Sequence, residues 1–263
     1  MGTIIGSVIN PLTLSPAIWI DFADASTVTL SGSNITQVAD KSGNGNTLTQ
    51  GTAARRPTYS TASQNGLNTA SFDGGDSLAA STAAGWTFLH NGTNYIVAMA
   101  LRPGTTANPD TFYTLWATND LLAATHGAGM FWDDRSSLSR NNRIAHRITR
   151  NAAAQAVENV SSDNVMTANA YSAFSLLAQP SNATAALRSS IIVNNGTAQA
   201  NNALTNAPSA SAPVGAITIG AAVNGTTGPL VGNICEFIIV SGANATDANA
   251  QRLTEYLRNK WGI

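Results

Sequence analysis

The sequence predicts an all-β protein, a sandwich of two antiparallel sheets closed by one amphipathic helix. Short apolar segments of strand length recur along the 263 residues, and turn residues separate them. Only the segment before the C-terminus carries apolar residues at helical spacing. A chain of this length can bury a sizeable core as one large domain, and no linker or internal repeat divides it.

Six segments carry the strand prediction. They are rich in β-branched and aromatic residues, and turn sequences such as Asn194-Asn-Gly196 and Gly228-Pro229 separate them. Several short strands with such turns between them are typical of an antiparallel sandwich. The segments are residues 17–22, 94–101, 171–177, 190–194, 216–220 and 233–240.

The helix is predicted over residues 246–261. Thr246 is the expected N-cap, Asp247 lies in the first turn, and Arg258 and Lys260 lie in the last, as the helix macrodipole favours. An apolar stripe along the helix is expected to dock on a sheet. The stripe consists of Ala250, Leu253, Leu257 and Trp261.

The sequence predicts an N-terminal arm followed by a single domain. Residues 1–15 are expected to form an N-terminal arm that docks on a neighbouring subunit, and residues 16–263 form the domain. The first residues lack the basic and apolar regions of a secretory signal. The polar segment 199–213 is expected to be an exposed loop, and the single cysteine, Cys235, a small core residue.

Charged residues are scarce, at 10% of the chain, and the net charge is -1. This balance gives no electrostatic reason to expect nucleic acid or an anionic membrane surface as the partner. No apolar run is long enough to span a membrane. The surface must therefore consist largely of neutral polar residues, which suits a protein packed in an assembly or exposed outside a cell.

The polar stretch 38–50, VADKSGNGNTLTQ, imitates the first half of a calcium-binding EF-hand loop. The twelfth loop position must supply a bidentate carboxylate, but it is Gly51. No Gly-Lys-Ser/Thr follows that would hold a phosphate. The stretch therefore predicts a turn, with Asn44-Gly45 as the central pair of a type I′ hairpin.

Several motifs follow one another in a particular order along the chain. They are 19–30 (WIDFADASTVTL), 38–46 (VADKSGNGN), 56–57 (RP), 71–78 (SFDGGDSL), 191–196 (IIVNNG), 232–240 (GNICEFIIV) and 252–262 (RLTEYLRNKWG). Together they resemble the concanavalin A-like, laminin-G-like jelly-roll domains, over about residues 16–263. The resemblance implies a two-sheet jelly roll of a kind common in bacteriophage virion proteins and bacterial surface proteins. Such a match is more specific for fold than for function.

Some relatives with this sandwich are glycoside hydrolases, which need two carboxylates that act together. The three glutamates, Glu158, Glu236 and Glu255, have no carboxylate two or four residues away in a strand. Asp133 and Asp134 are adjacent, so they would point to opposite faces of a strand. We therefore expect no enzymatic activity.

An arginine-rich segment, residues 131–150, offers a first candidate binding site. It holds Arg135, Arg140 and Arg143, and guanidinium groups suit the carboxylates of an acidic glycan or of a neighbouring subunit. The alternative is that these arginines are solvated or paired with Asp133 and Asp134.

Trp116 and Trp132 are a second candidate site, because an exposed indole stacks on the apolar face of a sugar. The alternative is core packing, since buried aromatics are common in a two-sheet core. Asp73 and Asp76 are candidates to share a calcium ion with backbone carbonyls, or else are turn residues. No other cofactor is expected.

These observations favour a non-enzymatic structural protein of a tailed-bacteriophage virion, either a capsid decoration or a tail-associated subunit. It is expected on the particle surface, made in the host cytoplasm, with copies of itself, other virion proteins and host glycans as partners. The alternative is a carbohydrate-binding module for attachment to a host surface. A glycoside hydrolase is the third class.

Overall fold

The computed structural model describes residues 9–104, 111–121, 125–149, 157–200 and 209–263. Within these ranges the chain forms seventeen β-strands and one α-helix, α1 (Asp247–Trp261). The strands are β1 (Ile18–Asp21), β2 (Val28–Ser31), β3 (Asn34–Val38), β4 (Leu48–Thr49), β5 (Thr58–Gln64), β6 (Leu67–Asp73), β7 (Leu78–Ala79), β8 (Tyr95–Pro103), β9 (Phe112–Ala117), β10 (Gly127–Asp133), β11 (Arg143–Thr149), β12 (Val157–Val160), β13 (Ser172–Ala178), β14 (Ser189–Val193), β15 (Gln199–Ala200), β16 (Thr218–Ile219) and β17 (Val231–Ser241). Short 3-10 helices lie at Pro11–Leu14, Ala25–Thr27, Ala53–Arg55, Ala84–Leu89, Ser136–Leu138, Ala185–Leu187 and Gly242–Asn244.

One sheet, the back sheet, is built around the long strand β17. One edge of β17 pairs with β8, and β13, β14 and β15 follow in that order beyond β8. The other edge is shared, because β1 pairs with residues 236–239 and β6 with residues 231–234. β5 lies beyond β6, and every pairing is antiparallel.

The second sheet, the front sheet, has the order β12, β11, β10, β9, β16, β7, β4, β3, β2, again with antiparallel pairs throughout. A single residue pair, Asn34 of β3 with Thr58 of β5, joins the front sheet to the back sheet. The described chain is thus the antiparallel two-sheet sandwich that the sequence predicts, and all six predicted strands are present.

Two apolar clusters divide the molecule into three layers. The larger cluster lies between the sheets and includes Phe237 and Ile239 of β17. The smaller lies between the back sheet and α1 and includes Cys235, Ile238 and Val240 of the same strand. Because the back sheet is buried on both faces, β17 is buried at nearly every position instead of alternating. Cys235 is a buried core residue, as predicted.

Helix α1 covers the outer face of the back sheet. The Thr246 hydroxyl caps the first turn by accepting a hydrogen bond from the Asn249 N–H, and Gly262 ends the helix with a left-handed φ of 66°. The predicted stripe from Ala250 to Trp261 is at most 1% exposed. Burial of each of its two leucines stabilises the folded state by roughly 1.5–3 kcal/mol compared with an exposed leucine. Within the described ranges, no helix is long and apolar enough to cross a membrane.

Two of the sequence predictions fall partly outside the described residues. These are residues 1–8 of the predicted N-terminal arm and residues 201–208 of the predicted exposed loop. The described end of the arm packs on its own chain, because Ile9 and Leu14 are buried in the cluster between the back sheet and α1. Docking of the arm on a neighbouring subunit stays a prediction.

The polar stretch 38–50 forms a loop over residues 39–47 that is longer than a two-residue hairpin turn. The positive φ angles of this loop belong to Gly43 and Gly45, at 88° and 74°. Asn44 is not among the positive-φ residues, although a type I′ turn needs a positive φ at both central positions. The prediction of a type I′ hairpin is therefore wrong.

The side chain of Asp40 organises this loop instead. Its carboxylate accepts hydrogen bonds from the backbone N–H groups of Trp19 at 2.9 Å, Ser42 at 2.8 Å and Asn46 at 2.9 Å, and from the Ser42 hydroxyl at 2.7 Å. These bonds tie β1 to the loop. The oxygens that could have held an ion are thus used to hold the fold.

Glu236 lies at a bulge in β17, and its fully buried carboxylate joins both ends of the domain. Oε1 accepts hydrogen bonds from Trp19 Nε1 at 2.7 Å and the Tyr256 hydroxyl at 2.9 Å. Oε2 accepts from Lys260 Nζ at 2.7 Å and Trp261 Nε1 at 2.9 Å. Burial raises the pKa of Glu236 despite the ammonium of Lys260. The carboxylate therefore fastens α1 to β1 and β17.

Candidate functional site

The arginine-rich segment folds as the hairpin β10–β11 of the front sheet. Asp133 lies opposite Arg143 in the register of the two strands. Trp132 and Ile144, one position along, are buried between the sheets. Because strand side chains alternate, Phe131, Asp133 and Arg143 lie on the outer surface of the front sheet. We call the outer surface formed by Phe112, Phe131, Asp133, Arg135, Arg140 and Arg143 the arginine face.

Asp133 is the centre of this face. Its carboxylate is 0% exposed and accepts hydrogen bonds from Arg135 Nε and Nη2, both at 2.7 Å, and from Arg140 Nη1. Burial works to raise the pKa of Asp133, but the hydrogen bonds and charges of the two arginines lower it overall. The aspartate is therefore ionised and holds both guanidinium groups in fixed positions.

A second ion pair lies beside the first. Arg143 Nε donates a hydrogen bond to Asp163 Oδ1, and the backbone N–H of Asn141 donates to the same oxygen at 2.9 Å. The hydrogen bond from Arg143 lowers the pKa of Asp163. The side chains of Arg143 and Asp163 are 25% and 36% exposed, so this pair is accessible from solvent.

Two phenylalanine rings pack against the guanidinium group of Arg135. The rings of Phe112 and Phe131 lie 5.0 Å apart, and the guanidinium of Arg135 lies 4.8 Å from the Phe112 ring and 5.5 Å from the Phe131 ring. Arg147 lies 5.7 Å from the Phe131 ring. Phe131 is buried, whereas Phe112 is half-buried. Cation–π contacts of this kind hold guanidinium planes in place.

Loops lie against the outer side of the front sheet beside the arginine face. A Cβ on Gly129 would lie 2.5 Å from Leu121 Cδ2, so the chain at Leu121 lies directly on β10. A Cβ on Gly228 would lie 2.5 Å from Phe112 Cε2, so the chain at Gly228 touches the edge of the face. Among the described residues of the arginine face, the side chains of Arg135, Arg140 and Arg143 are 17%, 19% and 25% exposed, so these arginines are its accessible groups.

The two tryptophans of the predicted ligand site do not belong to this face. Trp116 is 0% and Trp132 is 2% exposed, and both pack between the sheets, where Trp132 stacks on Tyr113 at 5.2 Å. Neither ring presents a face to a surface ligand, so the expectation of sugar stacking is corrected to core packing. Phe131 and Trp132 are neighbours in one strand, so only one of them can point outward. This alternation indicates that the two rings cannot share a surface, although it does not say which of them is in the core. The half-buried Phe112 was missed by the sequence analysis.

Of the other predicted residues, Arg135, Arg140 and Arg143 are brought together. Arg135 and Arg140 pair with Asp133, as their alternative interpretation expected, whereas Arg143 pairs with Asp163. Asp73 and Asp76 also meet, at the turn after β6. Asp76 Oδ2 accepts a hydrogen bond from the Asp73 N–H at 3.0 Å. Burial and then the neighbouring carboxylate raise the pKa of Asp76 to about 6. Within the described ranges, no three acidic, histidine or cysteine side chains cluster as metal ligands would.

Comparison with known proteins shows similarity of fold. No protein-family model and no curated protein sequence matches the chain. Domain 4 of AbnA, a GH43 extracellular arabinanase from Geobacillus stearothermophilus solved in complex with arabinotriose, is similar with a TM-score of 0.55 and 12% identity, covering 91% of this chain and 98% of that domain. The CBM40 of the Ruminococcus gnavus IT-sialidase, bound to α2,3-sialyllactose, has a TM-score of 0.50 and 12% identity, covering 71% of this chain and 95% of that one.

A third similar structure is the binding domain of botulinum neurotoxin serotype G, with a TM-score of 0.57 and 12% identity, covering 93% of this chain. This chain spans about half of that domain, 51% of its length. These structures are sandwich or jelly-roll domains, and at such identities they establish the architecture of this chain alone.

Proposed function

We propose that this protein is a non-enzymatic carbohydrate-binding module that holds an acidic glycan on the arginine face and attaches to a surface through it. The observation that carries the proposal is the buried Asp133, which fixes Arg135 and Arg140 beside the half-buried ring of Phe112. Fixed guanidinium groups next to a half-buried phenylalanine match a sugar that carries both a carboxylate and an apolar face.

Rigidity is the first argument for binding. A free arginine side chain loses roughly 0.5–1.5 kcal/mol of conformational entropy when a ligand immobilises it. Arg135 and Arg140 have already lost that freedom to Asp133 and the phenylalanine rings. A carboxylate that meets them therefore binds to a preorganised surface.

Charge is the second argument. Four arginines, Arg135, Arg140, Arg143 and Arg147, lie on or beside this hairpin in a chain of only 13 basic residues. Side chains of Arg140 and Arg143 are 19% and 25% exposed. Partial burial strengthens their attraction for an anion compared with fully solvated charges.

The similar structures support a glycan as the ligand. One is described in complex with arabinotriose and another with α2,3-sialyllactose, whose sialic acid carries a carboxylate. Their fold is shared with this chain, whereas the arginine face is a feature of this chain's own residues. The proposal includes no catalytic step, because the buried Glu236 is engaged in holding α1.

The test is a glycan array with acidic and neutral members, followed by calorimetry with α2,3-sialyllactose and with lactose as its neutral match. Binding to acidic members is expected, and it should weaken as salt rises because the site is partly exposed. Arg143→Gln should lower the affinity about tenfold, which corresponds to about 1.4 kcal/mol.

The matched control is Arg252→Gln, an exposed arginine of α1 on the other side of the molecule, and it should bind as the wild type does. Equal binding of acidic and neutral glycans, or no loss in the Arg143→Gln protein, contradicts the proposal. So does an array on which no acidic glycan is bound.

The virion setting expected from the sequence resemblance remains a prediction, because none of the three similar structures reported above is described as a phage protein. A particle-borne module for attachment to host glycans would combine both expectations. Mass spectrometry of purified phage particles, with antibody labelling of their surface, tests that setting independently of glycan affinity.

A further inference from the structure

A groove lies on the far side of the molecule from the arginine face, between α1 and the turn that follows β14. Its wide part encloses about 490 Å³ and continues into a narrow part of about 90 Å³. Ile192, Asn195, Gly196 and Gln251 line both parts, so the two form one continuous groove. Volumes of a few hundred Å³ are typical of small-molecule sites.

The helix supplies one wall of this groove. Asp247, Gln251, Glu255 and Arg258 follow one another at spacings of three and four residues, so they share a face of α1. Gln251 Nε2 donates a hydrogen bond to Glu255 Oε1 at 3.1 Å, which fixes an amide next to a carboxylate. No aromatic side chain is among the described residues that line the groove.

One buried polar group at the groove is not satisfied within the described part of the chain. Arg258, at the narrow end, has a buried Nε–H that meets no acceptor there. A buried donor without an acceptor costs roughly 1–3 kcal/mol. Across the groove lies the exposed side chain of Asn195, whose amide can both donate and accept hydrogen bonds. A ligand that both donates and accepts hydrogen bonds would bond to both walls.

We infer that this groove is a second binding site and that it takes a neutral sugar. Sugar hydroxyl groups donate and accept, which fits Asn195 on one wall and Gln251, the carboxylate of Glu255 and the guanidinium of Arg258 on the other. Asp247 and Glu255 carry negative charge into the groove, so an acidic sugar is repelled. The absence of an aromatic platform among the lining residues means that hydrogen bonds supply the affinity. This site does not depend on the glycan proposed for the arginine face.

The test follows the backbone amides of Gly196 and Gln251 by NMR during titration with neutral sugars. The probes are galactose, glucose, mannose, xylose, arabinose and N-acetylglucosamine, and glucuronic acid is the charged comparison. At least one neutral sugar should shift both amides, while glucuronic acid should shift neither. Gln251→Ala and Glu255→Ala should each weaken that binding tenfold or more.

The exposed Arg252→Ala helix variant is the control and should bind the neutral sugar as the wild type does. Arg143→Gln should also leave this titration unchanged, which separates the groove from the arginine face. The inference is overturned if no neutral sugar of the panel shifts these amides, if glucuronic acid shifts them equally, or if the Gln251 and Glu255 variants bind normally.

Discussion

Mild acid should destabilise this protein through His146, a buried residue that neither proposed site uses. The imidazole lies between the sheets at 0% exposure, with Nε2 2.7 Å from the Tyr95 hydroxyl oxygen and its ring 6.4 Å from that of Trp116. Burial lowers the pKa of His146 from 6.5 to about 3, because the interior disfavours the charged imidazolium.

The sign and size of the effect follow from proton linkage. In the unfolded chain His146 takes up a proton as the pH falls through 6.5, whereas in the folded protein it stays neutral until about pH 3. The unfolded state therefore binds more protons in this window, and stability falls with pH. Between pH 7 and pH 5 the loss from this one group is about 2 kcal/mol.

Urea unfolding across this pH range measures the loss, and a variant isolates the contribution of His146 from those of other groups. Asp76, with its pKa raised to about 6, takes up its proton earlier when folded and so acts in the opposite direction. Asp24, with its pKa lowered to about 2 by Lys41, loses its contribution only below the pH 7 to 5 window. His146→Gln keeps a polar side chain beside Tyr95 but cannot titrate.

The free energy of unfolding of the His146→Gln protein should fall between pH 7 and pH 5 by about 2 kcal/mol less than that of the wild type. If the variant is less stable by the same amount at every pH, the test is unaffected, because the measured quantity is the change in the free energy of unfolding with pH. Parallel curves for wild type and His146→Gln would refute the reasoning.

Two further predictions concern the contacts that hold the ends of the chain. Asp40→Ala removes an acceptor of four hydrogen bonds and should destabilise the protein by roughly 1–3 kcal/mol in urea unfolding; a loss below the error of that measurement contradicts the role given to this carboxylate. Lys260→Met leaves Glu236 buried near Asp21 without its ammonium and should cost roughly 3–5 kcal/mol at neutral pH. That cost should shrink in mild acid as Glu236 takes up a proton, and a cost that grows instead would show that the ion pair is not its cause.

Local pattern was enough to predict the elements of the fold. The apolar segments gave the strands, and the spacing of Leu253, Leu257 and Trp261 gave the helix and its buried side, because burial on one side imposes a period on the sequence. The loop around Asp40 was mistaken for a tight hairpin. Its conformation depends on hydrogen bonds to β1, which is distant in sequence, and the Asn44-Gly45 pair carries no trace of them.

The candidate site was likewise predictable in part from local sequence and in part not. Arg135, Arg140 and Arg143 can be placed in one segment beside Asp133 from the sequence, and strand alternation predicts that neighbours in this segment face opposite ways. Which neighbour faces the core depends on the packing of the two sheets, because the back sheet covers the face of β10 that carries Trp132 and does not cover the face that carries Asp133. The groove beside α1 is invisible in the sequence, since its walls come from residues 192–198 and 247–258 and meet only when the helix docks on the back sheet.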